Sequence, residues 1–122
     1  MADFTAGEVL TADNLDAAIN GVTVNAQTAN YTLALTDAGK LVTMSVGSAC
    51  TLTVPPNSSV AFAAGVAIAV AQVGAGQCTI TAGSGVTINS FGGALKIAGQ
   101  YAGAQLYKTG TNSWLAIGNL ST

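Results

Sequence analysis

Histidine and arginine are absent from this 122-residue chain, and only three lysines and five acidic residues carry charge. Without histidine there is no usual general base, no commonest metal ligand and no Ser-His-Asp triad. Without arginine, and at a net charge of −2, no patch can release many phosphate counterions, so nucleic acid is not expected as a direct ligand. Four of the acids, Asp3, Glu8, Asp13 and Asp16, crowd into the first sixteen positions and Asp37 stands alone. Paired carboxylates facing each other across a cleft are hard to build from that distribution. Cys50 and Cys78 fall short of four soft metal ligands, and Asp13 and Asp16 lack the glycine-centred calcium loop. Neither Gly74-Ala75-Gly76 nor Gly83-Ser84-Gly85 is followed by a helix or by a Lys-Ser/Thr pair, so both read as hairpin turns rather than phosphate loops. The expectation is a protein that is not an enzyme and uses no metal or cofactor.

The scarcity of charge also bears on the surface. Half of the residues are hydrophobic and 7% are charged, against about a quarter charged in a typical soluble domain. A face of Ala, Gly, Val and Thr suits another protein better than water, which points to an oligomer or a place on an assembly. The most apolar stretch, 60–71, is too short to span a bilayer and is cut by Gly65, so no membrane partner is expected. Asp3 and Glu8 precede any apolar run with no basic residue, the reverse of a signal peptide, which predicts a protein made in the cytoplasm. In that compartment Cys50 and Cys78 are expected to be reduced and buried.

What is present divides into two pieces. Residues 1–28 form an acidic arm, in which Thr11 can cap a short helix over 12–20 and Gly21 can stop it. Leu15, Ala18, Ile19 and Val22 give that helix one apolar stripe, and its shortness requires it to dock on something. Residues 29–122 form a β domain. Alternation at a period of two predicts strands over 31–35, 40–45, 50–54, 66–73, 77–81, 86–89, 94–97, 105–108 and 114–117, separated by glycine-rich turns and by the Pro55-Pro56 corner. Cys50-Thr51-Leu52-Thr53 is echoed by Cys78-Thr79-Ile80-Thr81. The spacing of strands and turns suits a sandwich, a small barrel or a short β-solenoid, and with no strict period a compact antiparallel β-sandwich or small barrel is favoured over a long solenoid. Tyr31, Tyr101, Tyr107 and the anchor Trp114 are expected in the core or at an oligomer interface, while Leu115 and Ile117 are assigned to the body's own packing. Nothing in the spacing points to an intramolecular Lys–Asn bond.

Several segments carry a resemblance. Phe4-Thr5-Ala6-Gly7-Glu8-Val9-Leu10-Thr11-Ala12-Asp13-Asn14-Leu15 resembles an opening common among small virion proteins of tailed bacteriophages. The body resembles the same group at Tyr31 to Thr43, at Leu52-Thr53-Val54-Pro55-Pro56-Asn57-Ser58-Ser59, at Gly85-Val86-Thr87-Ile88-Asn89-Ser90, and at Gly99-Gln100-Tyr101-Ala102. The likeness covers nearly the whole chain and extends to head-decoration, head-fibre and tail-fibre proteins. It implies a decoration protein on the outer capsid surface, a homotrimer that binds the major capsid protein and holds its subunits together. Phe4, Val9, Leu10, Leu15 and Ile19 would then be apolar anchors of the arm, with Asp3, Glu8, Asp13 and Asp16 setting register against basic capsid residues. The alternative it implies is a fibre component or tip that binds a host receptor or glycan.

Overall fold

A computed structural model describes residues 23–122. The expected helix over 12–20 lies outside the described residues, as do Asp3, Phe4, Glu8, Val9, Leu10, Asp13, Leu15, Asp16 and Ile19.

The described chain is mostly β and folds as a two-sheet sandwich. Its first half alternates between the sheets. Strands β1 (Val24–Gln27), β3 (Leu41–Met44) and β5 (Ala67–Gln72) lie side by side in one sheet, and β2 (Tyr31–Thr32), β4 (Cys50–Val54) and β6 (Cys78–Ala82) in the other. All the pairings within these two sets are parallel, so the chain winds as a short coil before anything else. The second half closes the coil with β7 (Thr87–Ser90), β8 (Lys96–Ile97), β9 (Gly103–Gly110), β10 (Ser113–Gly118) and β11 (Leu120–Ser121). Here β9 runs antiparallel to β5 and to β10, and β8 antiparallel to β6 and to β11, while β7 lies parallel to β10 at the far edge. The first sheet has the order β1-β3-β5-β9-β10-β7 and the second β11-β8-β6-β4-β2.

The expected sandwich is therefore present, but its pairing is mixed rather than antiparallel. Parallel neighbours need a crossover, and here each crossover passes through the opposite sheet. The segments 74–76 and 83–85 are consequently corners of the coil, not hairpin turns. A Cβ on Gly74 would collide with the backbone of Val46, and one on Gly76 with the backbone of Ser48. Successive corners stack so closely that only glycine fits. The boundary at 28/29 also moves, because β1 pairs with β3 and so belongs to the β body. The inward positions of β1 are the polar Asn25 and Gln27, register partners of Val42 and Met44, which hid this edge strand from a search for alternating apolar residues.

The core lies between the sheets. Val42 and Met44 of β3, Leu52 and Val54 of β4, Ile68 and Val70 of β5, Ile80 of β6, Leu106 of β9 and Trp114 of β10 all point inward and are buried. Their neighbours along each strand point out, as the two-residue period requires. Phe62 meets Trp114 edge to face, with centroids 5.6 Å apart, which fixes Trp114 as a core residue rather than an interface anchor. Cys50 and Cys78 are buried register partners on adjacent strands, with both thiols free.

Candidate functional site

The two outer faces of the sandwich differ in chemistry. The second sheet presents Thr51, Thr53, Thr79, Thr81, Lys96 and Ser121, side chains that water can hydrate. In the first sheet the outward positions line up in rows set by the strand register. One row runs Val24, Leu41, Ala69, Gln105, Ile117, and a second runs Ala67, Tyr107, Leu115, Asn89. No charged side chain stands in either row. Cross-strand neighbours such as Tyr107 and Leu115 make these two rows largely apolar, while Thr43, Ser113 and Thr87 in the flanking rows add hydroxyls.

At its far edge the face runs into a groove of about 300 Å³ lined by Phe91, Leu115, Ile117 and Leu120 among others. Phe91 stands 99% exposed at the rim and Ile117 is 56% exposed. Gly92 and Gly93, with φ of 65° and 73°, turn the chain sharply after Phe91 and leave its ring projecting. The earlier assignment of Leu115 and Ile117 to the body's own packing fails for a geometric reason. Trp114 and Ala116 are the buried residues of β10, so by the two-residue alternation Leu115 and Ile117 face out.

The three tyrosines do not converge. Tyr31 is half-buried beside β4, Tyr107 is half-buried on the first sheet's outer face, and Tyr101 is 77% exposed at a corner. Tyr101 has a φ of 66°, a strained setting for a bulky residue. Its N–H donates to the Gln72 carbonyl at 2.6 Å and the Gln100 side chain donates to the Val73 carbonyl at 3.0 Å, so the end of β5 holds the corner in place.

The burial of two charged residues was not legible in the sequence. The Asp37 carboxylate is fully buried and accepts hydrogen bonds from Asn25 Nδ2 at 2.7 Å, Tyr31 OH at 2.6 Å and the Ala34 N–H at 2.8 Å. Burial, and then the hydrogen bond to Asp37, raise the Tyr31 phenol above its ordinary value. Lys108 is buried on β9, and its Nζ donates to Asn57 Oδ1 at 2.6 Å and to the Phe62 carbonyl at 2.7 Å. Lys108 stands at an inward position of β9, and Asp37 ends the turn Leu35–Asp37; a charged residue at either place reads more readily as solvated.

Among the described residues no group of three metal-ligating side chains assembles, and no helix is long and apolar enough to cross a membrane. Compared with protein families, curated proteins and solved structures, the chain matches none. What the geometry offers is a charge-free sheet face bordered by a projecting phenylalanine and an apolar groove.

Proposed function

We propose that this chain is a structural subunit of a tailed-bacteriophage particle, a decoration protein that stabilises the capsid exterior. In this reading the outer face of the first sheet is covered by other copies of the chain in a trimer. The acidic arm ahead of β1 supplies the contact with the major capsid protein, with Phe4, Val9, Leu10, Leu15 and Ile19 as anchors and Asp3, Glu8, Asp13 and Asp16 as register-setting charges. The observation that carries the proposal is the difference between the faces, one lined by threonines and Lys96, the other without charge and carrying the apolar rows through Val24, Leu41 and Ile117 and through Tyr107 and Leu115. Such a face is stable against a second protein and is a liability against water. A closed ring of identical subunits covers it without leaving an open edge. Binding only to the assembled lattice would stabilise that lattice by mass action, and several weak arms acting together would bind far more tightly than one.

Removing residues 1–21 tests the division of labour. The truncated chain should remain a folded oligomer and lose binding to capsids; saturation of capsids with unchanged affinity would exclude the arm as the attachment device.

A second reading rests on Tyr101, whose exposed ring on a backbone-locked corner suits stacking on a sugar. It makes the chain a fibre component or tip. Particles lacking the protein would then lose adsorption to the host, whereas a decoration protein's absence lowers head stability and leaves adsorption intact.

A further inference from the structure

Lys108 occupies an unusual place for a lysine. Its neighbours on the inner side of β9, Ala104 and Leu106, are core residues, and Lys108 itself is 3% exposed. Of the acids, only Asp37 lies among the described residues, and its oxygens are engaged by Asn25, Tyr31 and Ala34. The ammonium is therefore buried against two neutral oxygens, a costly arrangement for a charge. One of those oxygens belongs to a carboxamide, Asn57 Oδ1, only 2.6 Å from Nζ. Asn57 follows the Pro55-Pro56 corner at the end of β4, and its backbone N–H donates to Asn112 Oδ1 at 2.9 Å. Its position is thus fixed from both sides. Phe62, whose carbonyl takes the second Nζ proton, and Trp114, the cross-strand partner of Lys108, close the apolar surroundings.

We propose that Lys108 and Asn57 become joined by an intramolecular isopeptide bond. Loss of one Nζ proton to water frees the amine lone pair, with Nζ held at 2.6 Å from Asn57 Oδ1 and so beside the amide carbon. Nζ then adds to Cγ, a proton passes from Nζ to Nδ2, the carbonyl re-forms as the Cγ–Nδ2 bond breaks, and the departing ammonia takes up from water the proton that Nζ gave up. A lysine ammonium and a primary amide enter; a secondary amide and an ammonium ion leave, so atoms and charge balance with no further reactant. The driving force is the removal of a buried charge, and the rate comes from holding the two groups in contact, which in favourable intramolecular reactions is equivalent to concentrations on the order of 10⁵ M or more. The product would tie the corner after β4 in the second sheet to β9 in the first. It is independent of the proposed place on a capsid.

The experiment is mass analysis of the full-length chain, freshly purified and after prolonged storage in the folded state. The expected result is an intact mass lower by one ammonia and, after proteolysis, a branched peptide linking Lys108 to Asn57. Lys108→Met and Asn57→Ala should each abolish the branched peptide. A succinimide at Asn20-Gly21 would also release one ammonia, so the branched peptide and not the mass alone decides. Recovery of Lys108 and Asn57 only in separate linear peptides from the aged, folded wild-type chain would overturn the proposal, whatever the variants do.

Discussion

At the scale of single residues, the buried polar groups carry the sharpest consequences. Asp37 accepts three hydrogen bonds with no exposure to water, so Asp37→Ala strands three donors at once. Each stranded donor costs about 1–3 kcal/mol; a loss of about 3 kcal/mol or more in urea unfolding is expected, and a loss under 1 kcal/mol would mean that water replaces the carboxylate. Tyr31 makes the same cluster sensitive to alkali. Its phenol is raised in the folded state by burial first and by Asp37 second, so the unfolded chain gives up its proton sooner. The stabilisation is complete below the ordinary tyrosine value of 10.0 and declines as the pH climbs beyond it. Tyr31→Phe should remove that decline from a stability-versus-pH curve. Cys78 gives a third test: burial, with Cys50 beside it, pushes its thiol up to about 12. A thiol held protonated and covered should resist alkylation at neutral pH in the folded protein and react once urea unfolds it.

At the scale of elements, the coil explains both what the sequence revealed and what it concealed. Cys50-Thr51-Leu52-Thr53 and Cys78-Thr79-Ile80-Thr81, read as a faint echo, are neighbours in register, each cysteine beside the other and each threonine beside a threonine. In the same turn of the coil Leu41 lies beside Ala69, so both sheets advance by 28 residues. The preceding turn is shorter and unequal: Val24 meets Leu41 and Tyr31 meets Leu52. One full period followed by closure in antiparallel strands cannot register as a repeat, which is why alternation located the strands while their pairing stayed hidden. Strand 50–54 was legible to the residue because Cys50, Leu52 and Val54 alternate with threonines, whereas β1 and β11 (Leu120–Ser121), short edge strands with little to bury, left no pattern. Of the surface site, Phe91 and Ile117 were visible only as apolar residues; that they stand outside follows from which side of β10 takes Trp114 into the core and from two glycines with positive φ, features of the folded backbone. The stacked corners give this scale its own prediction. Gly76→Ala drives a methyl into the Ser48 backbone, and overpacking of this kind costs about 1–3 kcal/mol. Thermal unfolding should report it, while Gly47→Ala in the facing corner, where a Cβ meets nothing, should leave the midpoint far less affected.

At the scale of the whole molecule, the sandwich is a two-sided object with one side prepared for water and one not. The row Val24, Leu41, Ala69, Gln105, Ile117 crosses five strands of the first sheet, and Phe91 projects at the edge beyond it, 99% exposed. If other copies cover this face, one charge placed there must be desolvated on assembly, whereas the same charge on the opposite face stays in water. Ile117→Lys is suited to the comparison because the native side chain is already 56% exposed, so monomer stability should shift by no more than about 0.5 kcal/mol. Thr79→Lys on the second sheet serves as its control. Sedimentation should find the wild type and Thr79→Lys as the same oligomer and Ile117→Lys dispersed into single subunits that keep the native circular dichroism. An Ile117→Lys protein that sediments as the wild-type oligomer would show that the apolar face is not where the copies meet, and a wild type already monomeric at high concentration would remove the reason for covering it.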